Sequence, residues 1–343
     1  MYKNGFMGHW IALRTKEKVT KEKKITMATA ASPLFTEYSA DQFLDLGLRM
    51  RGQKNWDKTR KEAKIDYFRS TFGTHPLVLS LIWRDLHTSP FQECRISDKS
   101  VTPQYLVLTF RWLTSYESEK ELKTNFGFDE KTTRKYCQLI VEKVASLRKM
   151  KIDPNFQDDD DLMLCQTVDG VHFPIEEPRP FSKKYKSTKL GGAGLTYTLS
   201  VFTHKDKIVW MEGPYPAATN DKTIFRDKLK GAIEQKQQER GNDYRVIADD
   251  GYVAHDLLDT LTLRNELDPH EIAWFKDRAL SRQERLHAMV ETFKCMTVKF
   301  RHDRGWNPNH QHPQHKACLV AICVTIQYEL DAGISSLFDP YPE

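Results

Sequence analysis

A change of period constrains this chain more than any other feature. Through "DQFLDLGLRMR", "TRKEAKIDYFRSTFG" and "HPLVLSLIWRDL" apolar residues recur at intervals of three and four, as in Phe43, Leu46 and Leu48 or Ile65, Phe68 and Phe72. That spacing marks helices with one buried face. Beyond the acidic run Asp158–Asp161 the period shortens to two, and "LMLCQTVDGVHFPI", "GLTYTLSVFTH" and "KIVWMEGPY" read as extended segments. The four aspartates themselves read as a solvated linker. Helices followed by a sheet with its own helices imply a layered α/β domain behind a helical region. The expected organisation is a disordered basic leader over residues 1–35, an all-α region over 36–152, and an α/β domain over 153–343, its mixed sheet flanked by helices.

A second helical group, "QYLVLTFRWLTSY", "SEKELKTNFG" and "DEKTTRKYCQLIVEKVASLRKM", is broken at "FGFDEKT". Gly127 suits a tight turn there. Asp129 or Glu130 falls in the first turn of the next helix, where negative charge complements the dipole. A helix, a turn, and a helix bearing Lys131, Arg134 and Lys135 follow the grammar of a DNA-binding helix-turn-helix. An ordinary bundle with a basic solvated face shares the pattern. The charge balance leans toward a polyanion: 28 Lys and Arg against 17 Asp and Glu before position 153, and 24 against 30 from there on.

After its antiparallel strands the second half reads as an amphipathic helix ("TNDKTIFRDKLKGAIEQKQQE") and a short strand ("DYRVIADDGY"). A helical piece ("AHDLLDTLTL") and an extended piece ("HEIAWFKD") follow, then the helix "SRQERLHAMVETFKCMTVKF" and the helix "KACLVAICVTIQYEL", apolar on nearly every side and expected to be buried. Asp169 in "TVDG" and Asp249 in "IADDGY" each follow an apolar run and are expected at strand ends. Carboxylates placed there, joined by one from a helix, suit hard divalent cations, and a pair of such ions can polarise a scissile phosphate. The helix beginning near Ser281 offers Glu284 and Glu291, two turns apart on one face, and periodicity does not choose between them. Aspartates that merely cap turns are the plainer alternative.

Other classes are disfavoured. The longest apolar stretch, Ala317 to Ile326, is too short to span a bilayer, and the first thirty residues lack the apolar core of a secretion signal. Six cysteines without a CxxC pair read as reduced thiols. His302, His310, His312 and His315 fit no common zinc-finger spacing. "GGAG" at Gly191–Gly194 lacks the Lys-Ser/Thr of a phosphate loop and reads as a turn. The basic-aromatic stretch with Arg179, Phe181, Lys183, Lys184, Tyr185, Lys186 and Lys189 follows the first carboxylate, where a DNA backbone would pass.

Taken together, "VDGVHFPIEEPRPFSKKYKSTKLGGAGLTYTLSV", "KIVWMEGPYPAATNDKTIFRDKLK", "VIADDGY", "RALSRQE", "VKFRH" and "HKACLVAICVTIQYELDAGISSLFD" resemble the PIF/Harbinger-type DDE transposases, in their divergent algal and oomycete branch. The likeness covers about residues 105–340 and includes "FGFDEKTTRK". It implies an RNase H-like catalytic domain behind a helix-turn-helix-containing region. It places the catalytic and metal-holding carboxylates on Asp169, Asp249 and Glu284. It also implies two Mg2+ or Mn2+ ions, and contacts to double-stranded DNA from Lys131, Arg134, Lys135, Lys183, Lys184, Lys186 and Arg282.

Transposon terminal repeats would be the substrate, cut and joined in the nucleus, with a homodimer and a separate DNA-binding protein as partners. Where relatives carry Asn, Arg and Lys after the glutamate, this chain has His287, Met289 and Glu291. A domesticated, catalytically silent DNA-binding or scaffold protein is therefore the rival expectation.

Overall fold

The computed structural model describes residues 36–52, 58–152, 166–180, 182–240, 244–263, 265–301 and 312–338. The basic leader, the aspartate run, Cys165, Phe181, His302 and His310 lie outside the described residues.

Local chemistry sets the helix boundaries. In α1 (Ala40–Met50) the Ser39 side chain and Gln42 close a capping box. α2 (Lys61–Phe72) stops at Gly73, and α3 (Pro76–Thr88) starts at a proline whose missing N–H would have been unsatisfied anyway. α4 (Pro103–Ser115) precedes α5 (Glu119–Phe126), which Gly127 ends at a φ of 76°. Asp129 then caps α6 (Glu130–Ser146) by accepting from the Lys131 and Thr132 N–H groups. A single turn, α7 (Arg148–Lys151), closes the helical region.

The sheet contains β1 (Gln166–Pro174), β2 (Lys186–Ser187), β3 (Gly192–Phe202), β4 (Ile208–Pro216), β5 (Val246–Ala248) and β6 (Leu261–Thr262). β3 lies antiparallel between β1 and β4, whereas β5 and β6 continue from the other side of β1 in parallel. Three antiparallel strands followed by two parallel ones give the mixed sheet of an RNase H-like fold. α8 (Asp221–Lys228) and α9 (Lys230–Arg240) cover one face through Ile224, Phe225, Leu229 and Ile233, packed with Val168, Val246 and Tyr252. Side chains alternate along β1, so Thr167 and Asp169 turn to the other face. There they meet α10 (His270–Glu291). α11 (Lys294–Thr297) and α12 (Pro313–Asp331) complete the chain.

α12 is buried from Cys318 to Leu330 and ties the helices to the sheet. The Tyr328 hydroxyl donates to Asp85 Oδ2 at 2.6 Å, Glu329 accepts from the Thr74 hydroxyl at 2.9 Å, and the Gln327 side-chain carbonyl accepts from the Ile208 N–H at 2.8 Å. Residues from Thr36 onward form one compact unit. Among the described residues no helix is long and apolar enough to cross a membrane.

Four expectations from periodicity require correction. β1 does not end at Asp169: it runs on to Pro174 because β3 pairs with it along its whole length. "AHDLLDTLTL" forms one 3-10 turn, His255–Leu257, before β6. "HEIAWFKD" is the start of α10 and not a strand; Lys276, Ala279, Arg282, Gln283, Leu286 and Val290 are buried at helical spacing, while Ile272 and Trp274 remain exposed. The long amphipathic helix is two, broken at Leu229.

Candidate active site

The site begins where β5 stops. Its last registered pair with β1 is Val168 with Ala248, so Asp169 and Asp249 are the next residues on two adjacent parallel strands. β1 continues while β5 turns away through Asp250–Tyr252, so the two strands part just beyond the aspartates and the sheet opens there. The turn is shaped by Asp249, whose carboxylate accepts from the Gly251 N–H at 3.0 Å. Tyr252 anchors it in the core, edge-on to Phe225.

Asp169 is half-buried, and its environment opposes ionisation. Burial raises its pKa to about 7, with further contributions from the negative charges of Asp249 and Asp221; a bond from the Gly170 N–H and the charge of Lys189 act the other way. From α10, His287 Nδ1 stands 3.7 Å from Asp169 Oδ2. Burial, with Lys189 nearby, lowers the His287 pKa to about 4, so the imidazole is neutral at physiological pH.

A side-chain relay fixes the His287 tautomer. The Thr167 hydroxyl donates to Gln283 Oε1 at 2.9 Å, which leaves the Gln283 amide to donate to the Leu199 carbonyl at 3.1 Å and to His287 Nε2 at 3.2 Å. With Nε2 accepting, the ring proton sits on Nδ1, facing Asp169. The fold thus turns His287 toward the Asp169 carboxylate. Sequence reasoning did not anticipate this; the clue was its spacing, four residues after the buried polar Gln283.

Glu284 lies one turn before His287 on α10 and its side chain is exposed. Glu291 is exposed as well. Asp221 was not anticipated from sequence. It opens α8, and its pKa is raised by burial and by Asp249, against the pull of Lys189. A Cβ added to Gly170 would collide with its carboxylate, so the glycine makes room for it beside Asp169. The only sequence signal was a carboxylate following the helix-capping Asn220.

Oxygen donors crowded together with raised pKa values, one of them the buried and unpartnered Asp221 Oδ1, suit a hard divalent cation. Among the described residues no three His, Cys, Asp or Glu side chains already stand close enough to grip one.

The basic residues divide. Lys131 and Lys135 are exposed on α6, and exposed Arg134 bonds Glu119 at 2.7 Å. Lys183, Lys184 and Lys186 are exposed around the turn that buries Tyr185. Arg282, expected at the DNA, is buried, with its guanidinium 3.9 Å over the Phe338 ring. His312 meets the Tyr185 hydroxyl at 3.2 Å, and His315, in the core, the Tyr197 hydroxyl at 2.7 Å.

Residues 168–326, just under half of the chain, match the family model described as DDE superfamily endonuclease. The matched segment contains all three expected carboxylates. No curated protein is significantly similar to the chain. Two solved structures show a distant likeness. A pre-cleavage Mos1 transpososome has a TM-score of 0.25 at 8% identity, covering 89% of this chain and 100% of that one. A Mos1 transposase paired-end complex with the left transposon end has a TM-score of 0.26 at 11% identity, covering 88% and 99%. Likenesses this remote carry no weight for the site.

Proposed function

We propose that the chain is a metal-dependent endonuclease of the PIF/Harbinger transposase kind, cutting and joining DNA phosphodiesters at transposon ends. The observation that carries this reading is the β1–β5 register, which sets Asp169 beside Asp249 at the sheet opening, inside the segment matching the DDE superfamily endonuclease model. Asp169, Asp249 and Glu284 would hold Mg2+ or Mn2+. When bound, a pair of such ions polarises the scissile phosphate and stabilises charge on the attacking and leaving oxygens of an in-line displacement.

The chain's own residues orient and attract. The Thr167–Gln283–His287 relay keeps a neutral ring N–H directed at Asp169. Exposed Lys189 supplies positive charge at the rim, where a phosphate would arrive. Lys183, Lys184 and Lys186 follow the DNA backbone, and Lys131, Arg134 and Lys135 engage the duplex from α6. Two copies of the chain would hold paired terminal repeats in the nucleus, with a separate DNA-binding protein assisting.

The test is cleavage of terminal-repeat DNA in Mg2+. The wild type cuts, and Asp249→Ala falls by about a thousandfold or more, equivalent to losing several kcal/mol of transition-state stabilisation. Equal cutting by both rejects the mechanism.

A further inference from the structure

The Nδ1–H of His287 is aimed at the site without reaching an acceptor there. Asp169 Oδ2 stands 3.7 Å from the nitrogen, too far for a hydrogen bond. The ring itself is largely covered, and its other edge is fixed from within the core.

That edge meets Gln283, which is 1% exposed, backed by fully buried Thr167. The Leu199 carbonyl can only accept, so the Gln283 amide nitrogen must face it, which turns Oε1 to the Thr167 hydroxyl. The second amide hydrogen then points at His287 Nε2. A proton on Nε2 would meet that hydrogen head-on. The single ring proton therefore stays on Nδ1, and neither nitrogen is left to bind a cation: one accepts from the amide and the other is protonated.

The ring is thus a donor held in place before any substrate arrives. The positive charge of Lys189 is felt at Asp169 and at His287 alike. An N–H with an open acceptor side and an ammonium, both beside one carboxylate, suit an anionic oxygen entering between them.

We propose that His287 is a catalytic residue whose Nδ1–H donates to a non-bridging oxygen of the scissile phosphate, with Gln283 and Thr167 as positioning residues that keep the proton on that nitrogen. The inference rests on the endonuclease reading above and adds to it a donor supplied by α10. No proton is transferred. The bond acts on the charge that the phosphate oxygens carry in the transition state, so it lowers the barrier more than it tightens DNA binding.

The full chain and its variants are compared on terminal-repeat DNA in Mn2+. His287→Phe, which keeps a ring and removes the N–H, and His287→Ala should each lower kcat about a hundredfold, the size expected for one donor to a reacting oxygen. The KM for DNA, and the affinity for Mn2+ measured without DNA, should stay near the wild-type values. Gln283→Met leaves the imidazole in place but frees its tautomer, and should lower kcat about tenfold on the same scale. In metal-free protein with labelled histidine, 15N NMR should find the His287 proton on Nδ1 in the wild type and shared between the nitrogens in Gln283→Met. A wild-type proton on Nε2, an unchanged kcat in both His287 variants, a loss confined to KM, or a loss of Mn2+ binding in both overturns the assignment. If Asp249→Ala is still inactive in those cases, the broader reading stands. A wild type that does not cut overturns both.

Discussion

The helical region and the mouth of the sheet handle charge in opposite ways. Among the helices carboxylates meet cations: Asp41 meets Lys61 at 2.7 Å, Glu119 meets Arg134 at 2.7 Å, Asp98 meets Lys135 at 3.6 Å, and Glu117 meets Arg111. At the sheet opening Asp169 faces a neutral histidine and feels two further aspartates. Charges neutralised in place serve the fold or its solubility. Charges left in mutual repulsion mark a place where something else binds.

The largest effect should come from breaking the second arrangement. Asp169→Asn should reduce DNA cleavage by about a thousandfold or more, by the same transition-state arithmetic as for Asp249. Its melting temperature without metal should not fall, because the side chain removed is held against repulsion. A variant that loses activity only in proportion to lost folded protein would make Asp169 structural and erase the contrast.

Next in size is a change on the helical side. The Tyr328 hydroxyl and Asp85 are joined across 243 positions of sequence and both are buried. Tyr328→Phe should cost about 1.5–3 kcal/mol, as expected for a buried hydrogen bond to a charged group. Urea denaturation measures it, and cleavage per folded molecule should stay at the wild-type level. A loss of activity exceeding the loss of fold would mean that the helical region controls the site more directly than charge pairing suggests.

The elements read best from sequence were those whose signal is local. Gly127 and Asp129 announced the α5–α6 turn because a left-handed residue and a side-chain cap act over a few positions. The strand β3 was legible because apolar and small polar residues alternate along it, even though the fold buries every position from Gly194 to Phe202. What sequence hid was tertiary. Nothing local indicates that β1 passes through Asp169 and Gly170, since only pairing with β3 carries it on. "HEIAWFKD" looked extended because its apolar residues are consecutive, yet Ile272 and Trp274 stay at the surface and Lys276 is the one buried. Its ammonium reaches the Leu263 carbonyl and Asp268, both at α10's approach, so the stem can be covered. Asp221 was invisible for the same reason: what singles it out is the missing Cβ of a glycine 51 positions earlier.

The comparison extends to the cations. Lys183 and Lys184 are exposed around the turn that buries Tyr185, whereas Arg134 is bonded to Glu119. If the lysines meet phosphates, replacing both with Ala should flatten the dependence of log affinity on log salt by about 0.9 for each phosphate left without its cation, while Arg134→Ala changes the slope less. Binding to terminal-repeat DNA measured at several salt concentrations decides. A slope unmoved by the double variant would remove these lysines from the interface.

The smallest effect separates two glycines that look alike in sequence. Gly127 holds a φ of 76° with nothing within 4 Å of where a Cβ would stand, so Gly127→Ala meets only the backbone cost of the left-handed region, about 1 kcal/mol. Its urea midpoint should drop accordingly, with metal binding unchanged. Gly170 lies in a regular strand, and there Ala would strike the Asp221 carboxylate. Gly170→Ala should therefore weaken Mn2+ binding beyond any change in stability. Were the two variants to behave alike, losing stability and metal in the same proportion, the space beside Asp169 would be ordinary packing, and the repulsion gathered there would belong to the fold.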